Sequence, residues 1–258
     1  MTATPTRMTV IALAGIPEIR PGDDLALAIA DAVAANGETL ADGDIVVVAQ
    51  KIVSKAEGRY VDLVDVTPSD EALGLAGKVD KDARLVELIL SDSAEVVRFR
   101  PGVLIVANRH GLVLANAGID TSNLDPARGD TEVLLLPEDS DRSAAALREA
   151  LTGRTGASLG VIINDSLGRA WRNGTVGVAI GASGIAALSD QRGRPDRRGR
   201  ELRVTEIGLA DEIAATASSV MGQADEGRPV VIVRGLARAA GDGTARDLVR
   251  DRELDLFR

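Results

Sequence analysis

The sequence predicts a mixed α/β (α+β) protein, and three observations carry that expectation. Apolar runs of strand length recur along the chain, amphipathic stretches of helical period fall between them, and Gly, Pro and Asp punctuate the joins. Pro21-Gly22-Asp23 opens a segment with Leu25, Ile29, Ala32 and Val33 on one face, a capped amphipathic helix. Asp42-Gly43-Asp44 is a turn, and Ile45 to Ala49 has the length of a buried strand. Further strands are expected at Val103 to Ala107, Leu112 to Ala115, Val133 to Leu136, Leu159 to Ile163 and Val230 to Val233. Helices are expected from Lys81 to Leu90, Ser143 to Leu151 and Glu206 to Met221, the second with Asp139, Ser140 and Asp141 as cap candidates and Gly153 as its stop.

Pro68 to Asp82 and Arg192 to Arg200 are the best loop or boundary candidates. Neither reads as a hinge, so residues 1–258 are taken as one domain without an internal boundary.

At 45% hydrophobic residues a sizeable core is available, and with aromatics at only 2% it must be filled by Val, Ile, Leu and Ala. No stretch approaches the roughly 20 apolar residues of a membrane span, and Met1 to Met8 has no secretory pattern. The absence of cysteine excludes disulfides and thiolate metal sites and fits a cytoplasmic location. A net charge of −9 argues against a general nucleic-acid binder, although Arg192, Arg194, Arg197, Arg198, Arg200 and Arg203 crowd one stretch.

Four segments can carry chemistry. Gly15-Ile16-Pro17-Glu18-Ile19 fixes an irregular backbone whose free N–H groups either meet a ligand or merely make a turn. Gln50-Lys51 and Lys55 follow a buried strand, where two lysines four apart either neutralise phosphates or form a solvated helix face. No Walker pattern exists anywhere in the chain. Gly118-Ile119-Asp120-Thr121-Ser122-Asn123 offers oxygen ligands for a hard divalent cation, or turn residues bonding their own backbone. Asn164-Asp165-Ser166 ends an apolar run and leads to Arg169, Trp171 and Arg172. The only tryptophan is there either a platform for a planar or anionic ligand, or a core plug. His110, the only histidine, has no partners in sequence to make it a catalyst, and Gly181-Ala182-Ser183-Gly184 reads as small-residue packing.

Taken in order, these motifs resemble the coenzyme F-420:L-glutamate ligase family. They are Gly15 to Ile19 with Pro21 to Asp24, Ala49 to Arg59, Arg109 to Gly111 with Ala115 to Asn123, and Asp165 to Gly174. Val204 to Glu206 with Ala210 to Ala214, Met221 to Gln223 and Val233 to Gly235 also fit. The resemblance implies a two-lobed ligase fold in an intertwined homodimer. It also implies GTP as co-substrate, manganese or magnesium at two sites with potassium as a further ion, and the coenzyme F-420 precursor and L-glutamate as substrates. The implied reaction joins glutamate to the precursor's terminal carboxylate through an acyl phosphate, then extends it by γ-linkages.

Carried over residue by residue, Asp120 and Asp165 resemble catalytic ligands to one metal, with Ser166 and Gln223 near a second. Ile16, Pro17, Glu18, Ile19, Gln50, Lys51, Lys55 and Asn123 would line the nucleotide, as would Met221, Gly222, Gln223, Ala224, Asp225, Glu226, Gly227 and Arg228. Arg169, Trp171 and Arg172 are expected to hold the substrate, on the grounds of charge and planarity. Asn164 stands where the family often has Thr, and the Gln191 to Arg200 stretch is more basic than the pattern predicts, pointing to an anionic substrate or partner. Some relatives carry a second, nitroreductase-like domain, which a chain ending at Arg258 is expected to lack. The alternatives are a metal-dependent phosphohydrolase or phosphotransferase, and a non-catalytic deazaflavin-binding subunit.

Overall fold

The structure is a computed structural model and describes residues 6–122, 129, 131–236 and 241–256. Its elements run β1 (Thr9–Ala12), α1 (Leu25–Ala35), β2 (Ile45–Ala49), α2 (Gln50–Ala56), β3 (Tyr60–Asp62), α3 (Asp70–Val79), α4 (Ala83–Ser91), β4 (Ser93–Arg100) and β5 (Val103–Asn108). They continue through β6 (Val113–Ala115), β7 (Glu132–Leu134), α5 (Ser140–Thr155), β8 (Gly160–Arg169), β9 (Arg172–Ser183), β10 (Ser189–Asp190), β11 (Glu206–Ile207), α6 (Leu209–Met221) and β12 (Val230–Arg234).

The main sheet has the order β1-β12-β2-β8-β9, in which only β2 and β8 run parallel. Its central strands carry unbroken apolar runs, Ile45 to Ala49, Val161 to Ile163 and Val230 to Val233, because both faces are covered there. Val46 and Val48 join Val161, Ile163, Val230 and Ile232 beneath α1, α2 and α5. Their alternates Ile45 and Val47 join Ile162, Val231 and Val233 beneath Ala210, Ile213, Ala214 and Ala217 of α6. The period of two along each strand thus divides one apolar run between two cores. Residues between Leu63 and Val133, from α3, α4 and the β4-β5-β6 sheet, form a third hydrophobic cluster. No helix among the described residues is long and apolar enough to cross a membrane.

The mixed class is as expected, with four departures in detail. The stretch Pro68 to Asp82 is not a loop but mostly α3. Ser69 caps it by accepting from the Ala72 N–H at 3.2 Å, Asp70 and Glu71 complement its first turn, and Ala72, Ala76 and Val79 form its buried stripe. The helix expected from Glu206 starts at Leu209, because Glu206 and Ile207 pair with Asp190 and Ser189. The helix expected to stop at Gly153 runs on to Thr155, and Gly156 ends it with φ 74°, a left-handed conformation glycine adopts without penalty. Strand β9 was not foreseen, since its Gly and Ala content hides the alternation. Those small residues are needed: a Cβ on Gly181 would lie 2.2 Å from the Ser140 carbonyl oxygen at the start of α5.

Candidate functional site

Strand directions decide where the conspicuous residues go. Ala49 pairs with Asn164, so the parallel pairing of β2 with β8 ends there and Gln50-Lys51 and Asp165-Ser166 lie together at one end of the sheet. Antiparallel β12 begins at that end, with Val230 opposite Val48, so the Met221 to Pro229 segment enters there. Antiparallel β1 finishes there too, with Ala12 opposite Val231, and delivers Leu13 to Ile19. Four segments far apart in sequence therefore meet outside the carboxyl ends of the two parallel strands, a usual place for a ligand crevice in α/β sheets. They enclose a cleft of about 820 Å³ lined by Glu18, Gln50, Lys51, Lys55, Asp120, Ser122, Asn164, Asp165 and Ser166, and by every residue from Met221 to Pro229.

Asp120 reaches the cleft by an irregular path. Asn116, Ala117 and Gly118 have φ of 54°, 55° and 77°, three left-handed residues in succession, two of which carry a Cβ. This costly backbone turns the chain out of β6 so that Asp120 can bridge to Leu134 of β7. The Asp120 carboxylate accepts from the Ser122 N–H at 2.7 Å and the Ser122 hydroxyl at 2.8 Å, and pairs with Lys51 Nζ at 2.7 Å. Lys51 Nζ also donates to the Ser122 carbonyl at 3.1 Å. One turn on, Lys55 pairs with Glu18, joining α2 to the Gly15 to Ile19 segment. Gln50 is buried, and its side-chain oxygen accepts from the Ser54 hydroxyl at 2.9 Å.

Asp165 is the most perturbed acid. Burial pushes its carboxyl up to about 6, and repulsion from Asp120 adds to the rise, against the Ser166 N–H that it accepts at 2.7 Å and the charge of Lys51. Ser166 Oγ donates to Gln223 Oε1 at 2.7 Å, and Gln223 Nε2 donates to Ser218 Oγ at 2.9 Å. Ser218, in the last turn of α6, thereby fixes which end of the Gln223 amide faces Ser166. Beside them Asn164 is 3% exposed and its Oδ1 has no hydrogen-bond partner among the described residues. In the last cleft segment Gly222, at φ 84°, leaves room for Glu226, whose carboxylate accepts from the Ala224 N–H at 2.8 Å and lies below the ordinary carboxyl range because of it.

Among the described residues no group of three or more His, Cys, Asp or Glu side chains is placed to hold a metal ion. The available donors are two mutually repelling carboxylates with hydroxyl and amide oxygens of Ser166 and Gln223, and an all-oxygen set of this kind suits a hard divalent cation.

Most of the expected residues are thus brought together. Ile19 is instead buried in the core, Ile16 packs against it, and neither they nor Pro17 lines the cleft. Arg169, Trp171 and Arg172 lie beyond the cleft at the end of the β8–β9 ribbon, and Trp171 is no core plug. Asn123 lies outside the described residues. The arginine-rich stretch connects β10 to β11, between the end of β9 and the start of α6, both at the opposite end of the sheet from the cleft. His110 Nε2 is buried without a hydrogen-bond partner among the described residues, and His110 does not line the cleft. The motif Val233-Arg234-Gly235 is architectural: Arg234 clamps buried Asp44 with two bonds of 2.8 Å, away from the cleft. Sequence reasoning missed Ser218, whose role depends on a contact with Gln223 that no spacing announces.

The model of the F420-0:Gamma-glutamyl ligase family matches residues 15–235. The Coenzyme F420:L-glutamate ligase of Methanothermobacter thermautotrophicus is 46% identical over 97% of this chain and 99% of its own length. Proteins of the same description are 46% identical in Methanopyrus kandleri, over 93% of this chain and 94% of theirs, and 43% identical in Archaeoglobus fulgidus, over 98% and 97%. By this match and these identities, the chain belongs to the F420-0:gamma-glutamyl ligase family.

Proposed function

We propose that this chain uses GTP and a divalent cation, manganese or magnesium, to join L-glutamate to the terminal carboxylate of the coenzyme F420 precursor and then to extend the product by γ-linked glutamate. One observation carries the reading: two lysines, two repelling aspartates and the Ser166–Gln223 oxygens share one cleft. A ligase must hold a polyanionic nucleotide beside a poorly reactive carboxylate, and this cleft offers cations for the first and ligands for the second.

In the proposed sequence an oxygen of the acceptor carboxylate attacks the γ-phosphorus of GTP. The bond to the β-phosphate oxygen breaks, leaving GDP and an acyl phosphate. The glutamate amine then attacks the acyl carbon and loses a proton, phosphate departs and an amide remains. Lys51 and Lys55 act as point charges on the phosphates, joined in nucleotide binding by Glu18, Gln50 and Met221 to Arg228. Asp120 and Asp165 would hold one cation, and Ser166 and Gln223 a second. A bound cation supplies charge neutralisation on the phosphoryl group in flight. Potassium is included as a further ion. We also propose a two-lobed molecule, for which the third hydrophobic cluster is the support, acting as a cytoplasmic homodimer.

Mass spectrometry of the coenzyme after incubation with GTP, glutamate and manganese tests the reading. Products heavier by one or more glutamyl residues are expected, with GTP consumed only when acceptor and glutamate are both present. GTP hydrolysis at the same rate without acceptor would instead identify a phosphohydrolase.

A further inference from the structure

Strands β8 and β9 outrun the sheet. The last β8 residue paired with β2 is Asn164, and from Asp165 to Arg169 the strand is paired only with β9. The result is a two-stranded ribbon that starts at the cleft with Asp165 and Ser166 and ends in the two-residue tip Ala170-Trp171, between the paired Arg169 and Arg172. At the rise of an extended strand, Arg169 stands about 13 Å from Asp165.

The tip contradicts local preference twice. Trp171 has φ 58°, in a left-handed region that favours glycine or asparagine at the second central position of a tight turn. It is also 80% exposed, although it is the largest apolar side chain in the protein. Neither flanking arginine forms an ion pair among the described residues, and Arg169 is steadied by donating to the Asn173 carbonyl at 3.1 Å. A costly backbone here sets an exposed aromatic side chain between two arginines in the chain, and that exposure contributes nothing to the core. Strain that the fold retains in this way is a mark of a binding element.

We propose that the ribbon tip is the acceptor-recognition element, with Trp171 stacking on a planar aromatic ring while Arg169 and Arg172 hold an anionic group on the arm joining that ring to the reactive carboxylate. The inference rests on the ligase reading for the identity of the acceptor. It adds that specificity is set about 13 Å from the chemistry, so the acceptor must be an elongated molecule with its ring at one end and its carboxylate at the other.

Because Trp171 is the only tryptophan, its fluorescence reports on the tip alone. Titrating the full chain with the coenzyme F420 precursor, without GTP, is expected to quench that emission saturably, while L-glutamate alone leaves it unchanged. In the ligation assay Trp171→Gly is expected to keep the fold and raise KM for the acceptor at least about tenfold, the scale of a lost aromatic stack, with KM for GTP and glutamate within about twofold. Arg172→Ala gives a second, non-aromatic reading with the same KM signature. Unaltered acceptor KM in both variants, or no quenching, overturns the proposal while leaving a ligating parent enzyme in place. Absence of glutamylation by the parent protein sinks the ligase reading instead, and the fluorescence titration still decides whether the tip binds the ring. Emission that changes on protein dilution without acceptor would make the tip a contact between copies and would also overturn it.

Discussion

Replacing Asp165 with asparagine removes a charge that the fold holds at a cost, and the cost can be worked out. Its carboxyl rises from the ordinary 3.8 to about 6, first through burial and then through the neighbouring charge of Asp120. A carboxyl raised in this way binds its proton more tightly in the native state than in the unfolded chain. Its contribution to stability is therefore full below 3.8 and is lost as pH climbs through 6. At about 1.36 kcal/mol per pH unit of separation, the loss relative to the neutral side chain is about 2 kcal/mol at pH 5 and about 3 kcal/mol at pH 8. Asp165→Asn, neutral throughout, should exceed the parent by those amounts, so the gap between them should widen by about 1 kcal/mol from pH 5 to pH 8. Urea unfolding of both proteins in chelator at the two pH values measures it, and titrating groups that do not interact with Asp165 cancel in the difference. Manganese added at pH 8 should then stabilise the parent and leave the variant unmoved. Parallel stability profiles for the two proteins would refute the reasoning, because the charge would then carry no folding cost.

Other outcomes follow from the same geometry. Ser218→Ala frees the Gln223 amide to turn its nitrogen toward Ser166, and manganese affinity measured by calorimetry on the nucleotide-free protein should fall by roughly 10-fold, as for other supports of metal ligands. Arg234→Ala leaves Asp44, 1% exposed, without its cation. Because Arg234 is itself half-exposed, the expected loss is about 2 kcal/mol by urea unfolding, below that of a wholly buried pair. Gly181→Ala drives a methyl group against the Ser140 carbonyl, where backbone must give way. A loss of about 1–3 kcal/mol, read as a lower thermal midpoint, is expected, whereas Gly153→Ala, with nothing near its added Cβ, should cause none.

The strands that build the cleft floor were legible because burial on both faces leaves an unmistakable apolar run: Ile45 to Ala49, Leu159 to Ile163 and Val230 to Val233 lie within or close to observed strands. Strand β9 was not, since packing against α5 and α6 demands Gly177 and Gly181, which dilute the pattern that would have revealed it. Helix α3 was hidden by its polar flanks after Pro68, of which Ser69 and Asp80 in fact cap it. Within the site, the residue types were readable and their partners were not. Lys51 and Lys55 could be seen to share a helical face, but their pairing with Asp120 and Glu18 follows from strand order, which local periodicity does not encode. Asp165 could be picked out only as an oxygen donor at a strand end. Its carboxyl is raised first by tertiary burial and then by Asp120, which arrives from a separate segment along a left-handed path.

The position of β12 has a consequence for how the protein comes into being. This strand lies between β1 and β2, so two elements made early in translation have no neighbour on that side until residues 230–234 leave the ribosome. A nascent chain thus carries apolar Val46, Val47 and Val48 with an unpaired edge for most of its synthesis, the state in which chaperones bind and aggregation begins. The cleft likewise gains its Met221 to Pro229 wall only at that last insertion. Ligand binding can therefore act as a checkpoint of completed synthesis, since no fragment that stops short of β12 encloses the crevice.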